Sequence, residues 1–125
     1  QALVSYIDYV RAGFEDQGAF DRLFSPDPPT PQLEQWDLNR EMTFRIAWKP
    51  YMYNPTLPPL LGGVQTLALV VHGSRDRIVP RGCAEQYARA LPRSRLAVVD
   101  SAGHFLDMEQ PDTLTKLITQ FVAES

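Results

Sequence analysis

Two residues of this sequence stand where side chains can do chemistry. Asp76 follows the apolar run Leu67-Ala-Leu-Val-Val71 by five residues, and His104 follows Leu96-Ala-Val-Val99 by five. Each lies in a polar turn, Gly73-Ser-Arg-Asp-Arg77 for the acid and Ser101-Ala-Gly-His-Phe105 for the imidazole. A carboxylate that accepts from one ring nitrogen fixes the tautomer and leaves the other nitrogen as a general base. An acid and a histidine are two members of a nucleophilic triad, which a hydroxyl or carboxylate nucleophile would complete. The plainer reading makes Asp76 an ordinary turn residue and His104 a loop residue before a helix. Pattern alone gives the two readings equal weight. Gly103 adds some weight to the first, since glycine permits an unusual backbone, and Phe105 offers an apolar wall beside the ring.

The other reactive side chains suggest less. His72 closes the first apolar run and reads as a partly buried structural residue. Cys83 is the single cysteine, which excludes an intrachain disulfide and a cysteine-rich zinc site. It reads as a small apolar helix residue, compatible with a reducing cytoplasm. His72, Asp76, Asp100 and His104 have no metal-ligand spacing, and Gly73–Arg77 lacks the glycines of a phosphate loop. No metal and no cofactor are expected. Asp107 and Glu109 read as local partners of a loop and a helix start. Trp36, Trp48, Tyr51, Met52, Tyr53 and Phe105 are the large groups available to line an apolar pocket. Of these, Trp48, Tyr51 and Phe105 are the substrate-binding candidates.

The elements that must position the two turns can be read from periodicity. Leu67–Val71 is a continuous apolar run, as in a strand buried on both faces of a parallel sheet. Gly82–Leu91 places Ala84, Tyr87, Ala88 and Leu91 on one helical face, Leu96–Val99 is a second strand, and Pro111 opens a helix striped by Leu114, Leu117, Ile118, Phe121 and Val122. Strand, helix, strand, helix is a βαβ unit with a helix after it. Two parallel strands are too few for a stable sheet, so flanking strands or a partner chain are expected. The first half has a different grain. Leu3, Ile7, Val10 and Phe14 form one helical stripe from Ala2, a short helix spans about Ala19–Phe24, and Thr30-Pro31 opens a helical stretch running to about Trp48. Tyr51–Gly63 reads as an irregular, proline-rich linker packed on a surface.

Composition narrows the class. The chain has 125 residues, 44% hydrophobic and 22% charged, as in a soluble globular domain. No apolar run approaches the roughly 20 residues that span a bilayer. The net charge of −3, with scattered Lys and Arg, argues against a nucleic-acid partner. The chain begins at Gln1 rather than Met, which fits a processed or excised start.

From about Leu60 to Val122 the sequence resembles the C-terminal part of the α/β-hydrolase superfamily. The resemblance rests on the acid turn (Gly73-Ser-Arg-Asp76, then Ile78-Val-Pro80) and the histidine turn (Ala102-Gly-His104, then Glu109-Gln-Pro111), set 104 minus 76, or 28, residues apart. It implies an α/β fold of two parallel strands with flanking helices, preceded by an all-helical lid, the sheet being incomplete. It divides the chain into a lid and return linker over 1–60 and a core portion over 61–125. Asp76 becomes the triad acid and His104 the base. The family's nucleophile elbow, usually Gly-x-Ser-x-Gly, is absent, for Ser74, Ser94 and Ser101 have the wrong neighbours. The expected function is thus part of a cytoplasmic hydrolase acting on an ester, a thioester or a ketonic carbon–carbon bond of a small apolar carbonyl compound. The nucleophile would come from a missing N-terminal half or a partner chain. An aspartate nucleophile would turn the same histidine to dehalogenation or epoxide opening. The alternative expectation is a non-catalytic binding or regulatory fragment.

Overall fold

The computed structural model of the protein describes residues 5–47 and 54–124. Three helices come first: α1 (Tyr6–Ala12), α2 (Gln17–Phe24) and α3 (Thr30–Ala47). Ser5 caps α1 by accepting the Asp8 amide, and Asp16 caps α2 by accepting the Gly18 amide. Two boundaries differ from where periodicity places them, and Ala2 and Leu3 lie outside the described residues. α1 stops at Ala12, two residues before the end of its apolar stripe, and Phe14 turns inward. α2 starts at Gln17 rather than Ala19. Phe14 and Phe20, exposed by 1% and 0%, are the most buried large side chains, packed with Val10, Ala19 and Trp36. Burying one such ring contributes about 1.5–3 kcal/mol, and the rings of Phe14 and Phe20 meet edge to face at 5.6 Å.

The linker expected to be irregular contains a short helix, α4 (Leu57–Leu61). Its prolines lie in the first turn, where a missing amide donor costs nothing, so they start this helix instead of forbidding it. The βαβ unit follows: β1 (Ala68–Gly73), α5 (Arg81–Ala90) and β2 (Ser94–Val99), with the strands parallel and in register from Ala68 opposite Ser94 to Gly73 opposite Val99. A single turn, α6 (Leu106–Glu109), precedes α7 (Pro111–Ala123). Val99, Ala102 and Leu106 form a second core, joined by Val71, Leu114 and Leu117.

β1 is less buried than its composition predicts. Among the described residues it pairs with β2 alone, and Ala68–Val71 are half-buried, only His72 and Gly73 being buried. The apolar run Ala68–Val71, with one edge unpaired among the described residues, lacks neighbours there to cover it.

Candidate active site

Both turns emerge at the carboxyl ends of the parallel strands, where loops of open α/β sheets converge on ligands. The acid turn is tightly wound. The Asp76 amide donates to the Gly73 carbonyl, and Asp76 Oδ1 accepts from the amides of Ile78 at 2.8 Å and Val79 at 2.9 Å. One carboxylate oxygen therefore holds the turn, and the other, Oδ2, is left to face the histidine. His104 Nδ1 lies 2.9 Å from it.

The two turns are also stitched together. The Ser74 amide donates to the Val99 carbonyl and the Arg75 amide to the Ala102 carbonyl. The Ser74 hydroxyl donates to Asp100 and accepts from the Ser101 amide, both at 3.0 Å. Gly73 is required by this closeness, since a Cβ there would run into the backbone of Ala102 and Gly103. Gly103 is required for space as well. Its φ is not positive, and the left-handed residue of the turn is Ser101 at φ 52°. The unusual backbone expected at Gly103 thus sits two residues earlier, and the glycine serves close approach.

Burial and charge give the pair a definite chemistry. The Asp76 side chain is 5% exposed and that of His104 35%. Burial pushes the Asp76 carboxyl up, but the Val79 amide, the His104 ring and the Ile78 amide together hold it below the ordinary carboxylate value. An ionised carboxylate only accepts, so Nδ1 carries the proton toward it. Nε2 makes no hydrogen bond to any described residue. The arrangement turns Nδ1 toward a buried anion and leaves Nε2 on the far side of the ring. His72 is a second imidazole beside the same acid, its Nδ1 3.9 Å from Asp76 Oδ2 and its side chain 6% exposed. That distance is too long for a hydrogen bond.

A cleft of about 240 Å³ opens beside the pair, bounded by the outer part of β1, by Cys83 and Tyr87 of α5, and by Asp76 and His104. Among the described residues no hydroxyl hydrogen-bonds to His104. That of Ser74 is held by Asp100, and that of Ser94 donates to the Ala88 and Leu91 carbonyls at the opposite end of the strands. Among the described residues no group of three or more His, Cys, Asp or Glu side chains could hold a metal ion, and no helix is long and apolar enough to cross a membrane.

Of the aromatic candidates, Trp48 and Tyr51 lie outside the described residues. Phe105 stands edge-on to His104 at 5.3 Å between ring centroids, and its other face meets Phe14 at 5.1 Å. It bridges the histidine turn to the helical core. Sequence reading missed two groups in this bridge. The Gly13 carbonyl accepts from the amides of His104 and Phe105, and the Glu109 carboxylate reaches the start of α2. Periodicity signals neither, because both are contacts of a loop with residues more than ninety positions away.

No family model matches the chain. Over 116 residues it is 27% identical to 2-hydroxymuconate semialdehyde hydrolase of Pseudomonas putida, which covers 82% of this chain and 41% of that protein. Over 96 residues it is 27% identical to AB hydrolase superfamily protein YisY of Bacillus subtilis (strain 168), covering 74% of this chain and 36% of the other. Among solved structures, a serine hydrolase involved in carbazole degradation aligns with a TM-score of 0.68 over 95% of this chain and 46% of its own, at 19% identity. The chain spans less than half the length of the curated relatives it matches.

Proposed function

We propose, from a chain that belongs to the α/β-hydrolase superfamily and carries part of its fold, that it supplies the acid and base of a hydrolytic triad. Asp76 is the acid, His104 is the base, and the nucleophile comes from protein outside this sequence. The observation that carries the reading is the hydrogen bond from His104 Nδ1 to a buried, ionised Asp76 beside an open cleft. In the proposed reaction Nε2 takes the proton of the nucleophile as it attacks a carbonyl carbon. The imidazolium, held by Asp76, then gives that proton to the leaving group, and Nε2 next activates the water that releases the product.

The substrate class is an ester, a thioester or a ketonic carbon–carbon bond in a small apolar molecule. The likeness to 2-hydroxymuconate semialdehyde hydrolase favours a small carbonyl acid of the kind its name describes. The fold of 2-hydroxy-6-oxo-6-phenylhexa-2,4-dienoate hydrolase of Rhodococcus sp. strain RHA1, TM-score 0.62, is compatible with it. Residues 1–60 are read as the lid, Phe105 with Trp48 and Tyr51 as parts of the substrate wall, and the cytoplasm as the compartment.

A second reading rests on a separate observation. Among the described residues β1 has one unpaired edge and no hydroxyl meets His104, which also suits a non-catalytic fragment that docks on another chain. The two readings part in one assay. The purified chain is tested against a 6-oxo-dienoate and a nitrophenyl ester, alone and with a segment bearing a strand-to-helix nucleophile elbow. The triad reading expects turnover from the combination only. Binding of the two pieces with no turnover supports the docking fragment, and turnover by the chain alone contradicts an external nucleophile.

A further inference from the structure

Three backbone amides from two distant parts of the chain converge on the carboxylate of Glu109. Oε1 accepts from the Glu15 amide at 2.6 Å and the Asp16 amide at 2.7 Å, and Oε2 accepts from the Gly103 amide at 2.6 Å. Glu15 and Asp16 form the joint between α1 and α2, and Gly103 immediately precedes His104. The same joint grips the turn a second time, since the Gly13 carbonyl accepts from the His104 amide at 2.6 Å and the Phe105 amide at 3.3 Å. A Cβ on Gly103 would strike Gly13, Glu15 and Glu109 together. The neighbouring Gln110 serves the sheet side, its side-chain amide donating to the Asp100 and Ser101 carbonyls at 3.1 Å. The histidine turn thus hangs between the strand ends and the helical segment, with Glu109 as the tie to the latter.

We propose that Glu109 is a positioning residue that fixes the place of the His104 ring by clamping its turn to the α1–α2 joint. Displacement of the helical segment is then transmitted directly to the Asp76–His104 pair. The chemistry of the clamp demands a carboxylate of this length. Two oxygens that only accept can satisfy three N–H groups on opposite sides. A glutamine keeps the size but presents its NH₂ group to one side, so it serves either the Glu15–Asp16 pair or Gly103. An aspartate is one methylene shorter and leaves one side unreached. An unmet amide on either side frees the turn, and small displacements of a reacting group carry large rate penalties.

The activity readout rests on the proposed role of His104 as base, and the exchange readout does not. In the catalytically complete protein, Glu109→Gln lowers kcat by about 10²-fold with KM nearly unchanged. It also weakens or broadens the proton resonance of the Asp76-bonded Nδ1–H in the folded fraction. A lower unfolding temperature with kcat per folded molecule and that resonance both unchanged means a merely structural glutamate and overturns the proposal. His104→Ala run alongside separates the two claims: if it keeps turnover, the base assignment fails and the clamp is judged on amide exchange. There the Glu15, Asp16 and Gly103 amides of the unmodified protein share one protection factor, a measurement that also decides the matter if Glu109→Gln does not fold. Unequal protection of the three overturns the clamp.

Discussion

The helical segment and the strand pair of this chain are built to different degrees of completion. Phe14, Phe20 and Trp36 close a core around α1, α2 and α3 in which the largest rings see almost no solvent. The strand pair buries His72, Gly73 and Val99 at its carboxyl end, though Val98 is exposed, while Ala68–Val71 remain half-covered. The finished part of the sheet is thus the part that holds Asp76 and His104. The unfinished part is where further strands would lie. The helical core carries the most buried rings and the strand ends carry the Asp76–His104 pair, so substitutions in the two regions separate stability from the proposed chemistry.

The largest effect is expected at His104, the proposed base. With the nucleophile present, His104→Ala lowers turnover on the order of 10⁶-fold, as for a triad histidine, with little change in the unfolding temperature because the ring is partly exposed. Single-turnover rates with a 6-oxo-dienoate and a thermal melt measure the two sides. Asp76→Asn follows, at about 10⁴-fold in kcat, because an amide no longer enforces the Nδ1–H tautomer. It also weakens the acid turn, whose Ile78 and Val79 amides both use Asp76 Oδ1. In the helical core, Phe20→Ala costs about 3–5 kcal/mol in denaturant unfolding. The matching truncation in the half-covered strand, Val70→Ala, costs about 1 kcal/mol. Equal costs at the two positions would erase the contrast between the regions.

The smallest effect expected is one of pH. The folded fold holds the Asp76 carboxyl below its ordinary value. Its contribution to stability is therefore complete above the unfolded value of roughly 4 and is lost as pH falls through the lower folded value. Denaturant midpoints compared between pH 6 and pH 3 should drop less in Asp76→Asn than in the unmodified protein.

Much of this was legible in the sequence, for identifiable reasons. The acid and histidine turns show because each ends an apolar run and strands of one parallel pair must present their loops at one edge, so Asp76 and His104 could be paired in advance. α5 and α7 show because Ala84 and Tyr87, and Leu114 and Leu117, keep strict helical spacing. α4 did not, because a rule that prolines break helices hides the case of prolines that begin one. The tie through Glu109 was illegible for a deeper reason. A carboxylate six residues past Gly103 looks like a local partner, and only the folded chain brings the Glu15 and Asp16 amides to it. The role of Gly103 was misread in the same way, as a need of its own backbone, when the constraint comes from Gly13 across the fold.

The proposed roles require that the buried Asp76 carboxylate set the tautomer of His104, with the proton on Nδ1 and Nε2 left to accept one. Nitrogen-15 NMR of the imidazole rings, recorded where the His104 ring carries a single proton, reads this out. The expected spectrum shows a protonated Nδ1 and an unprotonated Nε2 on His104, with the preference lost in Asp76→Asn. A proton on Nε2 in the unmodified protein, or the same tautomer with and without the Asp76 carboxylate, would contradict it.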